Sequence, residues 1–147
     1  MYLPVYIDME GKKALVVGLG EVGTRRAKKL ADAGADVKGF DTVDKEIEGV
    51  ETVKKKISID SLPELSNFFL VVASTDDTDL NRRIVEEASQ KGVVASCAGD
   101  FNKGDVVFPG FVYRDNEKIS ITTMGDNPFL TKKIKDVLNR EISDKKT

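Results

Sequence analysis

Three glycines near the N-terminus have the spacing of a loop that holds a dinucleotide. Gly18, Gly20 and Gly23 form the pattern Gly-x-Gly-x-x-Gly directly after an apolar run at 14–17. The first glycine of this pattern permits a tight turn, the second lets the backbone approach a pyrophosphate, and the third lets the next helix pack closely. The N–H groups at the start of that helix favour the charge of the phosphates. The spacing therefore predicts a dinucleotide-binding loop.

Asp41, at the end of the next predicted strand, indicates which dinucleotide the loop would hold. A carboxylate at this place accepts hydrogen bonds from the hydroxyls of an adenosine ribose, and it repels the 2′-phosphate of NADP. Asp41 therefore favours NAD as the cofactor. The predicted cofactor-binding residues are Gly18, Gly20, Glu21, Val22, Gly23, Asp41, Thr75 and Asp76.

Thr75 and Asp76 are included because they follow an apolar strand, at the sheet edge where ligands of open α/β sheets bind. The same polar stretch, 74–78, precedes a predicted helix, so Asp77 or Thr78 could simply cap that helix. We expect Thr78 to be the cap. For Thr75 and Asp76, a role in the cleft and a role in capping both stay open.

The elements that must position these residues alternate between strand and helix. Apolar runs bounded by turns predict buried strands, and apolar residues at helical spacing predict helices. The predicted strands are 14–18, 36–41, 53–57, 68–74 and 93–97, the helices are 21–33 and 78–91, and 62–67 contains one helical turn. This alternation predicts an α/β fold of the Rossmann type, with a parallel sheet and right-handed crossovers.

The pattern changes after residue 98. Strands at 106–113 and 118–123, joined by 114–117, predict a β-hairpin, and a last helix is predicted at 128–142 with Asn127 as its cap and Pro128 in its first turn. These elements are too short to bury both faces alone, so they either pack on the sheet or form a dimer. We divide the chain into an NAD-binding domain, 1–103, and a C-terminal region, 104–147.

Composition limits the possible chemistry. The 147 residues include no histidine, which excludes Ser-His-Asp and Cys-His catalytic units and any histidine-ligated metal. A general base would have to be a carboxylate or, less often, Lys, Tyr or Cys. We expect no bound metal.

Charge, cysteine content and apolar runs indicate which partners and which cellular compartment to expect. The net charge of −2 argues against a general nucleic-acid-binding surface. The single cysteine, Cys97, cannot form an intrachain disulfide, and we expect it to be a small buried strand residue. No signal-peptide pattern and no apolar run long enough to span a membrane are visible, so we expect a cytoplasmic protein.

Positive charge is concentrated on two predicted helices. The clusters are Arg25, Arg26, Lys28 and Lys29 on the first helix and Lys132, Lys133 and Lys135 on the last. Such clusters are either solvated helix surface or a rim that attracts a polyanionic ligand.

Several motifs in order resemble one protein family over residues 3 to about 142. They are Leu-Pro-Val-Tyr-Ile-Asp at 3–8, the glycine loop, Val-Val-Ala-Ser-Thr-Asp-Asp-Thr-Asp-Leu-Asn at 71–81, Val-Val-Phe-Pro-Gly at 106–110 and Asn-Pro-Phe-Leu at 127–130. Together they resemble the precorrin-2 dehydrogenase family, the NAD-dependent N-terminal module of sirohaem synthases. The resemblance implies a Rossmann domain followed by a small dimerisation region. It also implies oxidation of precorrin-2 to sirohydrochlorin, a step of sirohaem biosynthesis, with NAD⁺ as hydride acceptor.

The resemblance further implies residues on the substrate side. Precorrin-2 is a polycarboxylate, which gives basic residues beside the cofactor loop a role, and the family's Ser-Thr-Gly-Gly-x-Ser-Pro turn corresponds to 122–128 in this chain. The expected substrate-binding residues are Arg25, Arg26, Thr122, Thr123, Gly125 and Asn127. Met124 and Asn127 depart from a glycine and a serine of the family's turn.

The family's catalytic aspartate corresponds to Gly99 here, and Asp100 follows one residue later. Loss of a hydride from the macrocycle must be matched by loss of a proton, so Asp100 is the expected catalytic residue. A slip of one residue reverses side-chain direction in a strand, but a glycine-containing turn is less constrained. An ordinary turn role for Asp100 stays open.

Bifunctional members of the family carry a longer helical C-terminal region, so we expect dehydrogenase activity without ferrochelatase activity. Two alternatives remain. The chain could be a nucleotide-sensing regulatory module, like the Rossmann domains that gate transport, although the motifs after Cys97 have no evident place there. It could also be a relative that binds a tetrapyrrole without oxidising it. The glycine at position 99, where the family has its catalytic aspartate, allows this alternative.

Overall fold

The computed structural model of the chain describes residues 1–100, 102–114, 117–124 and 127–143. The chain forms two compact units, Met1–Val106 and Val107–Thr147. The first contains the glycine loop, and the second contains the hairpin and the last helix. The α/β fold of the Rossmann type with a C-terminal hairpin and helix is confirmed. The predicted division of roles between 1–103 and 104–147 stays a prediction.

The first unit is built on a five-stranded parallel sheet in the order β3-β2-β1-β4-β5. Its elements are β1 (Lys13–Val17), α1 (Glu21–Asp32), β2 (Asp36–Asp41), β3 (Val50–Lys54), β4 (Leu70–Ala73), α2 (Thr78–Gln90) and β5 (Val94–Cys97), with two short 3₁₀ turns, Ile59–Ser61 and Leu65–Asn67. Because β1 pairs with β2 on one side and β4 on the other, the strand order reverses at β1. A reversal of this kind marks the ligand-binding edge of open α/β sheets.

The core of this unit lies around the two central strands. Leu15 and Val16 of β1, and Val71 and Val72 of β4, are fully buried. Their unbroken apolar runs are typical of parallel strands that are covered on both faces. The buried side of α2 supplies Ile84, Val85 and Ala88, and that of α1 supplies Ala27 and Leu30. Cys97 is also buried, as predicted.

The second unit is an antiparallel hairpin with one helix. β6 (Gly110–Arg114) pairs with β7 (Glu117–Ile121), and α3 (Pro128–Ser143) follows. Asn127 caps α3 as predicted, since its side-chain oxygen accepts a hydrogen bond from the Leu130 N–H at 2.9 Å. The predicted hairpin turn includes 115 and 116, which lie outside the described residues.

Three predicted strands were misplaced by a few residues. β3 lies at 50–54 rather than 53–57, because it pairs along the full length of β2, from Val37↔Val50 to Asp41↔Lys54. β4 begins at Leu70 rather than 68, since the Phe68 N–H closes the preceding 3₁₀ turn onto the Leu65 carbonyl. β6 begins at Gly110 rather than 106, because the Val106 N–H bonds to the Ala95 carbonyl in the first unit.

None of the helices in the part of the chain that the structure describes has both the length and the apolar character needed to cross a bilayer.

Candidate cofactor-binding site

Two of the three glycines are required by the packing of the protein itself. Gly18 has φ +89°, and a Cβ there would lie 2.5 Å from the carbonyl oxygen of Ser74. A Cβ on Gly23 would collide with the Gly18 carbonyl oxygen. The turn between β1 and α1 and the close approach of α1 to the sheet therefore depend on these glycines.

Gly20 is different, because the space beside it is open. A Cβ at this position would meet no atom within 4 Å. Gly20 is the N-cap of α1, and no side chain caps the helix N–H groups from that position. Open space beside the backbone and a helix start without a side-chain cap are the features that a bound pyrophosphate requires. The residues present therefore fit a dinucleotide.

The carboxylate of Asp41 is held at the end of β2 by backbone donors. One oxygen accepts a 2.6 Å hydrogen bond from the Leu19 N–H, and the other accepts a 3.1 Å bond from the Val43 N–H. Partial burial raises the pKa of this carboxyl, but the two N–H groups and the charge of Lys45 outweigh it and lower the pKa below its usual value. Asp41 thus lies beside the glycine loop as an anion.

A cleft of about 430 Å³ brings together most of the predicted cofactor-binding residues. Its lining includes Gly18, Gly20, Asp41, Thr75 and Asp76. Of the other predicted residues, Gly23 packs beneath the loop, Val22 is half-buried and Glu21 lies on an adjacent surface cavity. The cofactor role of all eight residues stays a prediction, and the cleft is where their ligand would lie.

Asn81 orients the backbone at Thr75, and the sequence reasoning missed it. Its side-chain oxygen accepts hydrogen bonds from the Thr75 N–H at 2.9 Å and the Thr75 hydroxyl at 2.7 Å, and its amide donates to the Thr75 carbonyl at 2.9 Å. Asn81 is 1% exposed. A polar residue at the helical spacing of Ile84, Val85 and Ala88 was the available signal, since a buried amide needs partners.

The cap of α2 is Asp77, so the prediction of Thr78 was wrong. An Asp77 carboxylate oxygen accepts hydrogen bonds from the Asp79 N–H at 3.0 Å and the Leu80 N–H at 2.9 Å. Thr78 is already the first helical residue, and a capping residue must precede the helix with an extended backbone, as Asp77 does.

Lys45 is a second residue that the sequence reasoning missed. Its ammonium donates to the Leu19 carbonyl, which also accepts a 2.9 Å hydrogen bond from the Thr24 hydroxyl. Asp41, at the end of β2, binds the N–H of Leu19, and Lys45, in the connection after β2, binds its carbonyl. Both backbone polar groups of this loop residue are therefore held by hydrogen bonds. A lysine in a polar connection carries no sequence signal for this role.

Asp100 lies just beyond the end of β5. One carboxylate oxygen is 3.6 Å from Nε of Arg82, and the other accepts a 3.2 Å hydrogen bond from the Asn102 N–H. The preceding Gly99 has φ +82°, a conformation in which an aspartate would be strained. Asp100 has the local hydrogen bond of a turn aspartate and also faces a cation. It is not among the residues that line the cleft.

The two arginines of α1 have different surroundings. Arg26 is 9% exposed, and its guanidinium donates to the Ser96 hydroxyl at 3.4 Å. Burial, followed by the charge of Arg25, lowers the pKa of Arg26. Arg25 is exposed and lies 3.9 Å from Glu21. The predicted substrate-binding role of both stays a prediction.

In the second unit, the turn before α3 is closed by its own side chains. The Thr123 hydroxyl donates to the Asn127 carbonyl at 2.9 Å and accepts from the Asn127 N–H at 3.2 Å. The Thr122 hydroxyl accepts from the Met124 N–H at 3.0 Å, and Met124 has φ 56°. Met124 thus keeps a backbone shape that suits the family's glycine. Gly125 lies outside the described residues.

Comparison with known proteins supports the resemblance of the motifs. A family model described as "Putative NAD(P)-binding" matches residues 5–110. Siroheme synthase 1 of Yersinia enterocolitica is 33% identical over 141 residues, which cover 93% of this chain and 30% of that protein. Siroheme synthase of Azotobacter vinelandii is 33% identical over 139 residues, covering 89% of this chain and 29% of that protein. The chain thus spans less than a third of the length of these relatives.

A solved structure agrees with these matches. The structure of "SirC, precorrin-2 dehydrogenase" has a TM-score of 0.75 and 27% sequence identity, covering 96% of this chain and 71% of that chain. The chain therefore belongs to the NAD(P)-binding family that the model describes, and the resemblance of its motifs to the precorrin-2 dehydrogenase module of sirohaem synthases is confirmed.

Proposed function

We propose that this chain is an NAD-dependent precorrin-2 dehydrogenase, which oxidises precorrin-2 to sirohydrochlorin in sirohaem biosynthesis. The observation that carries the proposal is the likeness to SirC, precorrin-2 dehydrogenase, which extends over 96% of the chain. The proposal concerns the dehydrogenase step alone, since the chain corresponds to less than a third of the length of the sirohaem synthases it matches.

The cleft beside the glycine loop is the proposed NAD site. When bound there, the cofactor supplies the hydride acceptor. Gly20 would leave room for the pyrophosphate, and the N–H groups at the start of α1 would favour its charge. Asp41 lines the cleft, where its carboxylate would accept hydrogen bonds from a ribose. The choice of NAD rather than NADP rests on Asp41.

Asp100 is the proposed acceptor of the proton that the macrocycle loses. With no histidine in the chain, a carboxylate is the ordinary candidate for a base. The side chain of Asp100 is 29% exposed and therefore accessible, and it follows the carboxyl end of β5, the edge at which catalytic groups of such sheets lie. Arg82, at 3.6 Å, would hold the carboxylate in place.

The substrate-binding residues are proposed on the family's motifs. Arg25 and Arg26 supply positive charge for a polycarboxylate, and the exposure of Arg25 suits an external ligand better than the burial of Arg26. Thr122, Thr123 and Asn127 make local hydrogen bonds before α3, so their proposed role rests on the family's motif alone.

A homodimer is proposed on the surface of the second unit. α3 leaves large apolar side chains in solvent, with Phe129 75% exposed and Val137 42% exposed. The other exposed apolar side chains of this unit are Tyr113, Ile119, Leu130 and Ile134. Apolar surface of this extent on one helix and a hairpin is typical of an interface, and a second copy of the chain would cover it.

The reaction is tested by supplying precorrin-2 and NAD⁺ to the purified chain and following the absorbance of NADH. We expect stoichiometric formation of NADH and sirohydrochlorin. A folded protein that binds NAD but gives no turnover would support a second candidate, a relative that binds a tetrapyrrole without oxidising it. The glycine at 99, in the place of the family's aspartate, is the observation that favours this second candidate.

A further inference from the structure

Arg82 lies between two aspartates and contacts both of them at once. Its Nη1 atom is 3.5 Å from Oδ1 of Asp79, and its Nε atom is 3.6 Å from Oδ2 of Asp100. The guanidinium of arginine is planar, keeps its charge and carries its N–H donors in a fixed fork. Since the two contacts use different nitrogens, neither displaces the other. We call this arrangement the arginine bridge, and it consists of Asp79, Arg82 and Asp100.

The arginine bridge joins the start of α2 to the turn after β5. Asp79 and Arg82 are three residues apart on α2, the spacing at which two side chains of a helix meet. Asp77 and Leu80, from the same end of the helix, line the cleft proposed for NAD. The bridge therefore ties Asp100 to the helix end that borders the cofactor site.

Both carboxylate oxygens of Asp100 are held, and the carboxylate keeps the capacity to take a proton. Oδ1 accepts a 3.2 Å hydrogen bond from the Asn102 N–H, and Oδ2 faces Arg82. An ionised carboxylate has about four acceptor sites, so these two contacts leave room for a proton. Contacts on both oxygens limit rotation of the carboxyl group, and the orientation of a base affects how fast it takes a proton.

Asp79 matters for the charge of Arg82 during the reaction. In the proposed dehydrogenation the macrocycle loses a hydride, with its electron pair, to NAD⁺ and a proton to the Asp100 carboxylate. Asp100 then becomes a neutral carboxylic acid. Arg82 keeps Asp79 as its counter-ion at that moment, so the guanidinium stays paired and stays in place.

We infer that Asp79 and Arg82 are positioning residues of the dehydrogenation: Asp79 holds the guanidinium of Arg82, and Arg82 holds the Asp100 carboxylate for proton transfer. The inference rests on the proposed function, because it takes Asp100 as the base. The side chains of Asp79 and Arg82 are 85% and 49% exposed, and ion pairs this exposed contribute little to stability. Their loss should therefore appear in the rate and not in the fold.

Steady-state rates of the full chain with precorrin-2 and NAD⁺ test the inference, and calorimetric NAD⁺ affinity is the second readout. We expect Arg82→Gln to lower kcat by at least about fivefold and to change NAD⁺ affinity by less than about twofold, because a misplaced base slows the reaction while the cleft stays intact. Arg82→Lys, which keeps the charge but not the fork, should be intermediate. Arg83→Gln, the same change at the next exposed residue of α2, is the matched control and should have the wild-type kcat.

The same substitution in the Asp100→Asn background separates positioning from a general structural effect. If Arg82 acts through Asp100, Arg82→Gln should lower kcat by less than about twofold once the base is gone. A loss of equal size with and without Asp100 would overturn the inference, as would equal losses in Arg82→Gln and Arg83→Gln. If Arg82→Gln does not fold, Arg82→Lys in the two backgrounds decides in the same way.

Asp79→Asn tests the outer end of the bridge. It should lower kcat by about two- to threefold in the wild type and by nothing further in the Arg82→Gln background, because its effect passes through the guanidinium. An unchanged kcat in Asp79→Asn would overturn the role given to Asp79.

The outcomes also separate this inference from the proposed function. An active wild type whose kcat is unchanged in Asp100→Asn would overturn the positioning role, since the base would be another group, and would leave the dehydrogenase standing. An inactive wild type would overturn the proposed function, and the positioning role with it.

Discussion

Asp41 and Leu19 are joined by a 2.6 Å hydrogen bond from the backbone N–H of Leu19 to the Asp41 carboxylate. Leu19 lies inside the glycine loop, and Asp41 ends β2, so this bond fixes the loop to the neighbouring strand. The residue expected to bind a ribose thus also has a structural role. Any substitution of Asp41 changes both the shape of the loop and its ligand contacts.

Asp41→Asn is expected to lower the melting temperature near neutral pH by a few degrees, because asparagine keeps one acceptor but loses the charge. The contacts of Asp41 lower its pKa in the folded state. Their contribution is therefore complete above the unfolded-state pKa of about 4, and it is lost as the pH falls through the lower folded-state pKa. Thermal unfolding of both proteins from about pH 7 to about pH 3 measures this effect. The difference in melting temperature between the wild type and Asp41→Asn should become smaller as the pH falls. A difference that does not change with pH would contradict the stabilising role given to the Asp41 carboxylate.

Gly18 and Gly20 are expected to respond differently to the same substitution. Gly18→Ser forces a Cβ to within 2.5 Å of the Ser74 carbonyl at a positive φ, so it should cost more than about 2 kcal/mol of unfolding free energy. Gly20→Ser meets no atom at its Cβ and supplies a favoured cap, so its stability should be equal to the wild type or slightly higher. Chemical denaturation of the pair checks this order.

Gly20→Ser should nevertheless bind NAD⁺ at least about tenfold more weakly, because its side chain takes the space that a pyrophosphate needs. Calorimetric titration measures the affinity on a variant whose fold is intact. Wild-type affinity in Gly20→Ser would show that the dinucleotide does not pass over this loop.

Asn81→Ala is expected to lower the unfolding free energy by about 1–3 kcal/mol, because the Thr75 N–H and carbonyl would lose the hydrogen bonds that Asn81 makes to them. The Thr75 hydroxyl would keep its hydrogen bond to the Asp77 carbonyl. NAD⁺ affinity should also fall, since Thr75 lines the cleft. Asn102→Ala removes the same group at an exposed position and should change stability by less than about 0.5 kcal/mol. Equal effects of the two substitutions would contradict the role given to Asn81.

Asp100→Asn should lower kcat for precorrin-2 oxidation by at least about tenfold and leave NAD⁺ affinity unchanged, because a general base is lost while the cofactor cleft is intact. Asp105→Asn is the matched control. Asp105 accepts a 3.0 Å hydrogen bond from the Ala95 N–H, which an asparagine can still accept, so kcat should be close to the wild type. An unchanged kcat in Asp100→Asn would show that Asp100 is an ordinary turn residue and not the general base.

Ile134→Glu is expected to weaken the proposed dimer, because it places a charge among the exposed apolar side chains of α3. Sedimentation velocity over a range of concentrations measures the association. Lys133→Glu, which changes the charge of the neighbouring exposed residue, tests whether the added negative charge alone weakens the association. A wild-type chain that is monomeric at all concentrations would contradict the dimer before any variant is made.

The sequence predicted the glycine loop well because the spacing of Gly18, Gly20 and Gly23 follows from steric needs that act over a few residues. Asn81 and Lys45 were not predicted, since their partners, Thr75 and Leu19, are set by the fold rather than by local pattern. The shift of β3 has the same origin, because its position depends on pairing with β2. Local rules favoured Thr78 over Asp77 as the cap of α2, but Asp77 has the extended backbone that a cap requires, and Thr78 is already helical.

The open space at Gly20 has a consequence for comparing relatives of this chain. Gly18 and Gly23 would have to persist in any descendant that keeps the fold, whatever it binds. The fold does not require glycine at position 20. In a relative without a bound dinucleotide, serine, threonine, aspartate or asparagine there would cap α1 and stabilise the protein. A substitution at position 20 in a relative that keeps Gly18 and Gly23 would therefore indicate that this relative no longer binds a dinucleotide.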